Sequence, residues 1–204
     1  MPWLLIALCA TTLPAAARAG QGTEAEPRLL LRLGTGAAYV HESWTPGDGN
    51  PGSIKTGWAP VLEIALGRAF SADLVAGGLL QVTPLFAPTE SFAGVSYHLT
   101  DQIDLISLAG LFVEDAFLPR LPLRAGISVG AVVSTLFDEA QQQRQTRVGV
   151  GLSPYLAWDR RLSGRWRAGL LARTAIYRNV SGDLPSSASA GGVVTSVLLT
   201  FAFR

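Results

Sequence analysis

The chain ends on a segment, Gly191 to Arg204, whose residue type switches at every step. Val193, Thr195, Val197, Leu199, Phe201 and Phe203 form one set; Val194, Ser196, Leu198, Thr200, Ala202 and Arg204 form the other. A repeat of two is the mark of a β-strand whose faces meet different surroundings, because successive side chains point to opposite sides of the pleat. A helix would bring together every third or fourth residue and mix the two sets. The first constraint on the fold is therefore a sheet whose last strand has one large apolar face and one smaller, more polar face.

The same alternation returns along the chain. Leu29 to His41 sets Leu29, Leu31, Leu33, Thr35, Ala37 and Tyr39 against Leu30, Arg32, Gly34, Gly36 and Ala38. Lys55 to Gly67 sets Trp58, Pro60, Leu62, Ile64 and Leu66 against Gly57, Ala59, Val61, Glu63 and Ala65. Strands are also expected over Ala72 to Leu85, Ile103 to Phe117, Leu121 to Leu136, Thr146 to Trp158 and Arg165 to Tyr177. A ninth candidate is SFAGVSYHL, Ser91 to Leu99. In each strand the apolar face is broad, and the opposite face carries Gly, Ala, Ser and single charges. That is the reverse of a soluble barrel and suits a crowded polar lumen with lipid outside.

Composition explains where the apolar residues go. The chain is 49% hydrophobic and only 15% charged, yet no run after the N-terminus approaches the roughly 20 residues of a membrane-spanning helix. Residues 1–19 read as a secretory signal peptide, with an apolar core from Trp3 to Leu13 and Ala17 and Ala19 before the cut at Gly20. Residues 20–28 form a short polar leader. Losing Arg18 takes the basic count from 16 to 15, against 15 acidic residues, and Cys9, the one cysteine, leaves with the signal. A neutral mature chain gives no electrostatic case for nucleic acid, and without thiols it has neither disulfides nor cysteine metal sites.

The closing strand, with its near-terminal Phe203, resembles the C-terminal strand of bacterial outer-membrane β-barrels. Arg204 is a departure, since such chains usually end on the aromatic itself. The resemblance implies recognition of this strand by the barrel-assembly machinery. Single-chain barrels of this kind have an even strand number, short periplasmic turns and longer outer loops. Counting back from the C-terminus, Asn179 to Gly192 is outside, the turn at Ser163 inside, Asp138 to Gln145 outside and Leu118 to Pro122 inside. Counting forward, Glu42 to Ile54 is outside and Arg68 to Ser71 inside. The counts meet only if Phe86 to Gln102 is one outer excursion, with Ser91 to Leu99 as loop or strand extension above the membrane. Residues 29–204 are thus expected to form an all-β, eight-stranded antiparallel up-and-down transmembrane barrel in the outer membrane. Ten strands is the alternative. Phe117, Trp158, Trp166, Phe201 and Phe203 then fall near the periplasmic ends and Tyr39, Trp58 and Tyr177 near the outer ends, forming two aromatic girdles.

With the apolar faces toward lipid, the lumen receives Arg32, Glu63, Glu114, Arg124, Arg147, Arg167 and Arg173, with Asp73 near a strand end. Eight strands enclose a space that side chains nearly fill, so these charges are expected to pair. The bases outnumber the acids, which keeps open a narrow, anion-preferring path. Small barrels of this kind include lipid A enzymes, and His41 and His98 are the two available imidazoles. His41 and Ser43 share a face while Glu42 points away, leaving a base and a nucleophile without an orienting acid. No enzyme activity, cofactor or metal site is expected, and GDGNPG (Gly47 to Gly52) lacks the lysine or spaced carboxylates of phosphate and calcium loops. The expected role is structural or surface-interacting, as a monomer in outer-membrane lipid with a loop ligand left open.

Overall fold

The computed structural model describes residues 29–46, 52–71, 73–118, 122–140, 142–182 and 189–203. The expected signal segment, the leader and most of GDGNPG lie outside the described residues. The strands are β1 (Leu29–Thr45), β2 (Ser53–Ala69), β3 (Val75–Phe86), β4 (Thr89–Phe92), β5 (Val95–His98), β6 (Gln102–Leu118), β7 (Leu123–Asp138), β8 (Gln143–Ser163), β9 (Trp166–Gly182) and β10 (Ser189–Phe203).

All pairings are antiparallel, and the order β1-β10-β9-β8-β7-β6-β3-β2 closes because β1 also pairs with β2. Among the ten described strands, only β4 and β5 stand outside this ring, which leaves eight. Leu31 pairs with Phe203 across the seam, so both described chain ends lie at one end of the barrel, the turn end. The other is the loop end.

Alternation sorts the side chains as the pleat requires. Outward residues such as Trp58, Leu62, Leu111, Val150 and Leu199 are exposed, with Trp58 at 73% and Leu111 at 69%. Inward neighbours such as Val61, Leu171 and Leu198 are at 0%. A continuous apolar belt around the whole wall far exceeds the few hundred Å² that soluble monomers expose. On β1 the outward face is apolar from Leu29 to Tyr39 and then turns to His41, Ser43 and Thr45. Leu29 to Tyr39 matches the roughly 9–11 residues with which a tilted strand crosses a hydrocarbon core.

The strands outrun their apolar segments at the loop end. Glu42 to Ile54 was expected as a loop, but β1 continues through Thr45 and β2 begins at Ser53. Likewise β8 starts at Gln143, β9 runs to Gly182 and β10 starts at Ser189. The ladder is held by backbone hydrogen bonds, which do not depend on side-chain polarity, so polar residues extend it above the belt.

Ser91 to Leu99 is a strand extension: β4 pairs with the top of β2 and β5 folds back on β4. β3 and β4 form one line of chain with a break between them. β2 pairs with β3 from Leu62 to Ala69 and with β4 from Ser53 to Thr56, and Gly57 to Val61 have no ladder partner on that side. Pro84 and Pro88 cannot donate to a ladder, and Ala87 takes a left-handed φ of 46°. Leu85 packs over Gly57 to cover this interval; a Cβ on Gly57 would stand 2.7 Å from the Leu85 Cδ1 atom.

Candidate functional site

Two groups of inward polar side chains lie on the barrel axis, one within the belt and one at the loop end. Within the belt, β1, β2, β6 and β9 deliver Arg32, Glu63, Glu114 and Arg173, each 2% exposed or less. Arg32 Nε donates to Glu63 Oε1 at 3.1 Å and its Nη1 to Glu114 Oε2 at 2.6 Å. Arg173 Nη1 stands 2.6 Å from Glu63 Oε2 and donates to Gln81 Oε1 at 3.1 Å. Arg124 Nη1 reaches Glu114 Oε1 at 3.6 Å. The Tyr155 hydroxyl donates to Glu114 Oε2 at 3.3 Å, and its ring lies 4.8 Å from the Arg173 guanidinium. Arg32 stacks at 5.4 Å on both Tyr155 and Phe112. Each carboxylate serves two arginines, which lets two acids hold three bases in a space with little water.

Tyr155 reaches this position because its partner across the ladder is Gly126. A Cβ there would lie 2.2 Å from Tyr155 Cζ, so the ring occupies the volume that any other residue would need.

At the loop end a cavity of about 270 Å³ opens between the strand extensions, lined by Glu42, Trp44, Lys55, Glu90, Arg147 and Asn179 among others. Lys55 Nζ donates to Asp104 Oδ2 at 3.4 Å and to Gln102 Oε1 at 3.2 Å, and Gln102 Nε2 to Asp138 Oδ2 at 3.2 Å. Glu42 accepts hydrogen bonds from the Tyr177 hydroxyl and, at 3.4 Å, from Ser134 Oγ. Glu42 and Tyr177 lie beyond the apolar outward segments of β1 and β9. Burial, and secondarily the nearby Asp104 carboxylate, raise Glu42 above the ordinary carboxylate value. Burial and then Glu42 itself push the Tyr177 phenol well up. Gly192 makes the approach possible, since a Cβ there would meet Tyr177 Oη at 2.8 Å.

The β4–β5 hairpin adds an apolar wall above this cavity. Lys55 pairs with Glu90 and Glu90 with Tyr97, while Ser53 pairs with Phe92 and Phe92 with Val95. Lys55, Glu90 and Ser53 line the cavity, so the shared face carries Phe92, Val95 and Tyr97 toward the space over the mouth. All three are exposed.

Of the expected lumen charges, Arg32, Glu63, Glu114, Arg124 and Arg173 meet in the belt. Arg147 instead lines the mouth, its Nη2 donating to Gln145 at 3.5 Å. Arg167 lies half-buried near the turn end, beside Ala202 in the ladder. Asp73 is exposed and offers its backbone oxygen to Arg124 Nη1 at 3.3 Å.

Among the expected girdle residues, Tyr39 and Trp58 pair edge-to-face at 5.4 Å on the outside, and Trp166 meets Phe203 at 5.3 Å. Trp158 and Phe201 are exposed, and the Phe117 side chain lies outside the described residues. Tyr177 is the correction: it is 5% exposed and points into the lumen. Its parity on β9 is that of Leu171 and Arg173, so aromatic type misled where alternation did not. Gln81, Tyr155, Lys55, Asp104 and Asn179 escaped selection although their inward parity was readable. His41 faces outward and His98 is exposed on β5. Among the described residues no group of three or more His, Cys, Asp or Glu could hold a metal ion.

A closed eight-stranded up-and-down ring, an unbroken apolar belt and an interior filled by apolar side chains and paired charges define the class: a transmembrane β-barrel of the bacterial outer-membrane type. Known structures share this architecture. The chain is similar to the outer membrane protein OprG from Pseudomonas aeruginosa, with TM-score 0.53 and 13% identity over 87% of this chain and 97% of that one. It is also similar to the outer membrane protein AlkL determined in lipid bilayers, with TM-score 0.51 and 14% identity over 91% and 94%. At these identities the likeness is one of fold. No protein-family description matches the sequence, and no curated protein sequence is detectably similar.

Proposed function

We propose that this protein is an outer-membrane barrel whose lumen is sealed and whose function is exercised at its loop end, by surface interaction rather than by conduction. The observation that carries this reading is the belt cluster: Arg32, Glu63, Glu114 and Arg173, braced by Tyr155 and Phe112, occupy the cross-section and spend their charge on one another. An ion passing this level would have to break pairs whose separation leaves a buried charge uncompensated. The mouth is the opposite kind of place, an open cavity with charged groups of both signs beneath an apolar hairpin face.

The same reading has residues 1–19 removed on export, insertion directed by the strand ending at Phe203, and a monomer in the membrane. The test is conductance of the purified protein in planar bilayers. No discrete conducting events are expected, and steady single-channel current that responds to Arg173→Ala would overturn the sealed-lumen reading.

A further inference from the structure

A second hollow, of about 330 Å³, lies on the outside of the wall at the loop end, where β9, β10 and β1 run side by side. Two rows of outward residues build it. The upper row is Arg178, Gly191 and Ser43; the lower is Ile176, Val193 and His41. Gly191 supplies the floor by having no side chain, so Arg178 and Ser43 stand on either side of a depression. Among the described residues no carboxylate lines it.

The height of this hollow follows from the belt. The next row toward the turn end is Thr174, Thr195 and Tyr39, and Tyr39, which pairs with Trp58, is the last apolar residue on the outward face of β1. The lower row of the hollow therefore meets the first carbons of the acyl chains, and the upper row meets lipid headgroups. An arginine fork there matches the oxygens of a phosphate, while Ile176 and Val193 sit where hydrocarbon begins.

We propose that this hollow binds the phosphate of an outer-leaflet lipid. Arg178 makes the charged contact, His41 and Ser43 donate hydrogen bonds, and Ile176 and Val193 pack on the first acyl carbons. The proposal rests on the membrane reading above and adds to it a specific lipid seat between β9 and β1.

Native mass spectrometry of the full barrel in non-ionic detergent tests it, with diphosphorylated lipid A and the same lipid stripped of phosphate as probes. The phosphorylated form should stay bound and the stripped form should not. Arg178→Gln should weaken retention about tenfold, the scale of one hydrogen bond to a charged group. His41→Gln should weaken it less. Arg68→Gln, an exposed arginine at the turn end, should leave retention unchanged. Equal losses in Arg178→Gln and Arg68→Gln would mean general attraction to basic residues and overturn the proposal, as would displacement of the lipid by inorganic phosphate. In both cases the membrane reading survives, because the barrel still requires detergent. A barrel that stays in solution without detergent overturns both.

Discussion

Tyr155 in the belt and Tyr177 at the mouth are built alike. Each lies over a glycine, Gly126 or Gly192, and each donates its hydroxyl to a glutamate, Glu114 or Glu42. Their surroundings differ. Glu114 lies against two arginines, whereas the described hydrogen-bond partners of Glu42 are hydroxyls, and the Lys55 and Arg147 charges only partly offset its burial and the like charge of Asp104. The same motif therefore gives a locked ionic knot in one place and, in the other, a carboxylate that burial pushes above its ordinary value. Hydrogen bonding alone does not compensate a buried charge; a counter-charge does.

The difference breaks most sharply at Glu63, which joins Arg32 to Arg173. Glu63→Ala leaves both guanidiniums without their shared acid and should cost about 3–5 kcal/mol, read as a large drop in unfolding temperature in detergent micelles. An unchanged temperature would mean the cluster is hydrated, and the contrast with the mouth would vanish.

Packing around the two tyrosines gives a smaller effect. Gly126→Ala puts a methyl 2.2 Å from the Tyr155 ring and should destabilise by about 1–3 kcal/mol. In Gly192→Ala the added carbon lies 2.8 Å from Tyr177 Oη and 2.7 Å from the His41 carbonyl oxygen. Its cost should be lower, because Tyr177 is not clamped by arginines. Reversal of that order in thermal melts would show that the mouth is the more tightly held region.

The smallest effect has the opposite sign. Because folding raises the Glu42 value, the stability favouring its protonated form is fully present below the ordinary carboxylate range. It is lost as pH rises through the raised value. Glu42→Gln should therefore stabilise the barrel slightly at neutral pH, and flatten the melting temperature across the acidic range. The corresponding Glu114→Gln should destabilise at neutral pH, since it removes the charge that Arg32 requires. Melting curves of the two variants across that range check both signs.

Much of this was legible in residue order. Alternation gave the inward parity of Arg32, Glu63, Glu114 and Arg173, and counting turns gave the ring of eight. The mouth was harder to read. Polar runs such as Glu42 to Ile54 look like loops, and only the ladder shows that β1 and β2 carry Glu42 and Lys55 upward as facing strand residues. Tyr177 was readable by parity and was obscured by the habit of aromatic residues to sit at interfaces.

The sequence by itself determined which side of the wall each residue occupies, because the pleat imposes a period of two on every strand regardless of partners. It did not determine which lumen groups meet. Arg32 contacts Glu63 and Glu114 across sequence separations of 31 and 82 residues, and those meetings depend on the stagger accumulated around the ring. The break between β2 and β3 and the hollow at Gly191 are likewise products of register. Stagger is a property of the closed sheet, set jointly by all its hydrogen-bonded pairs, and no single strand encodes it.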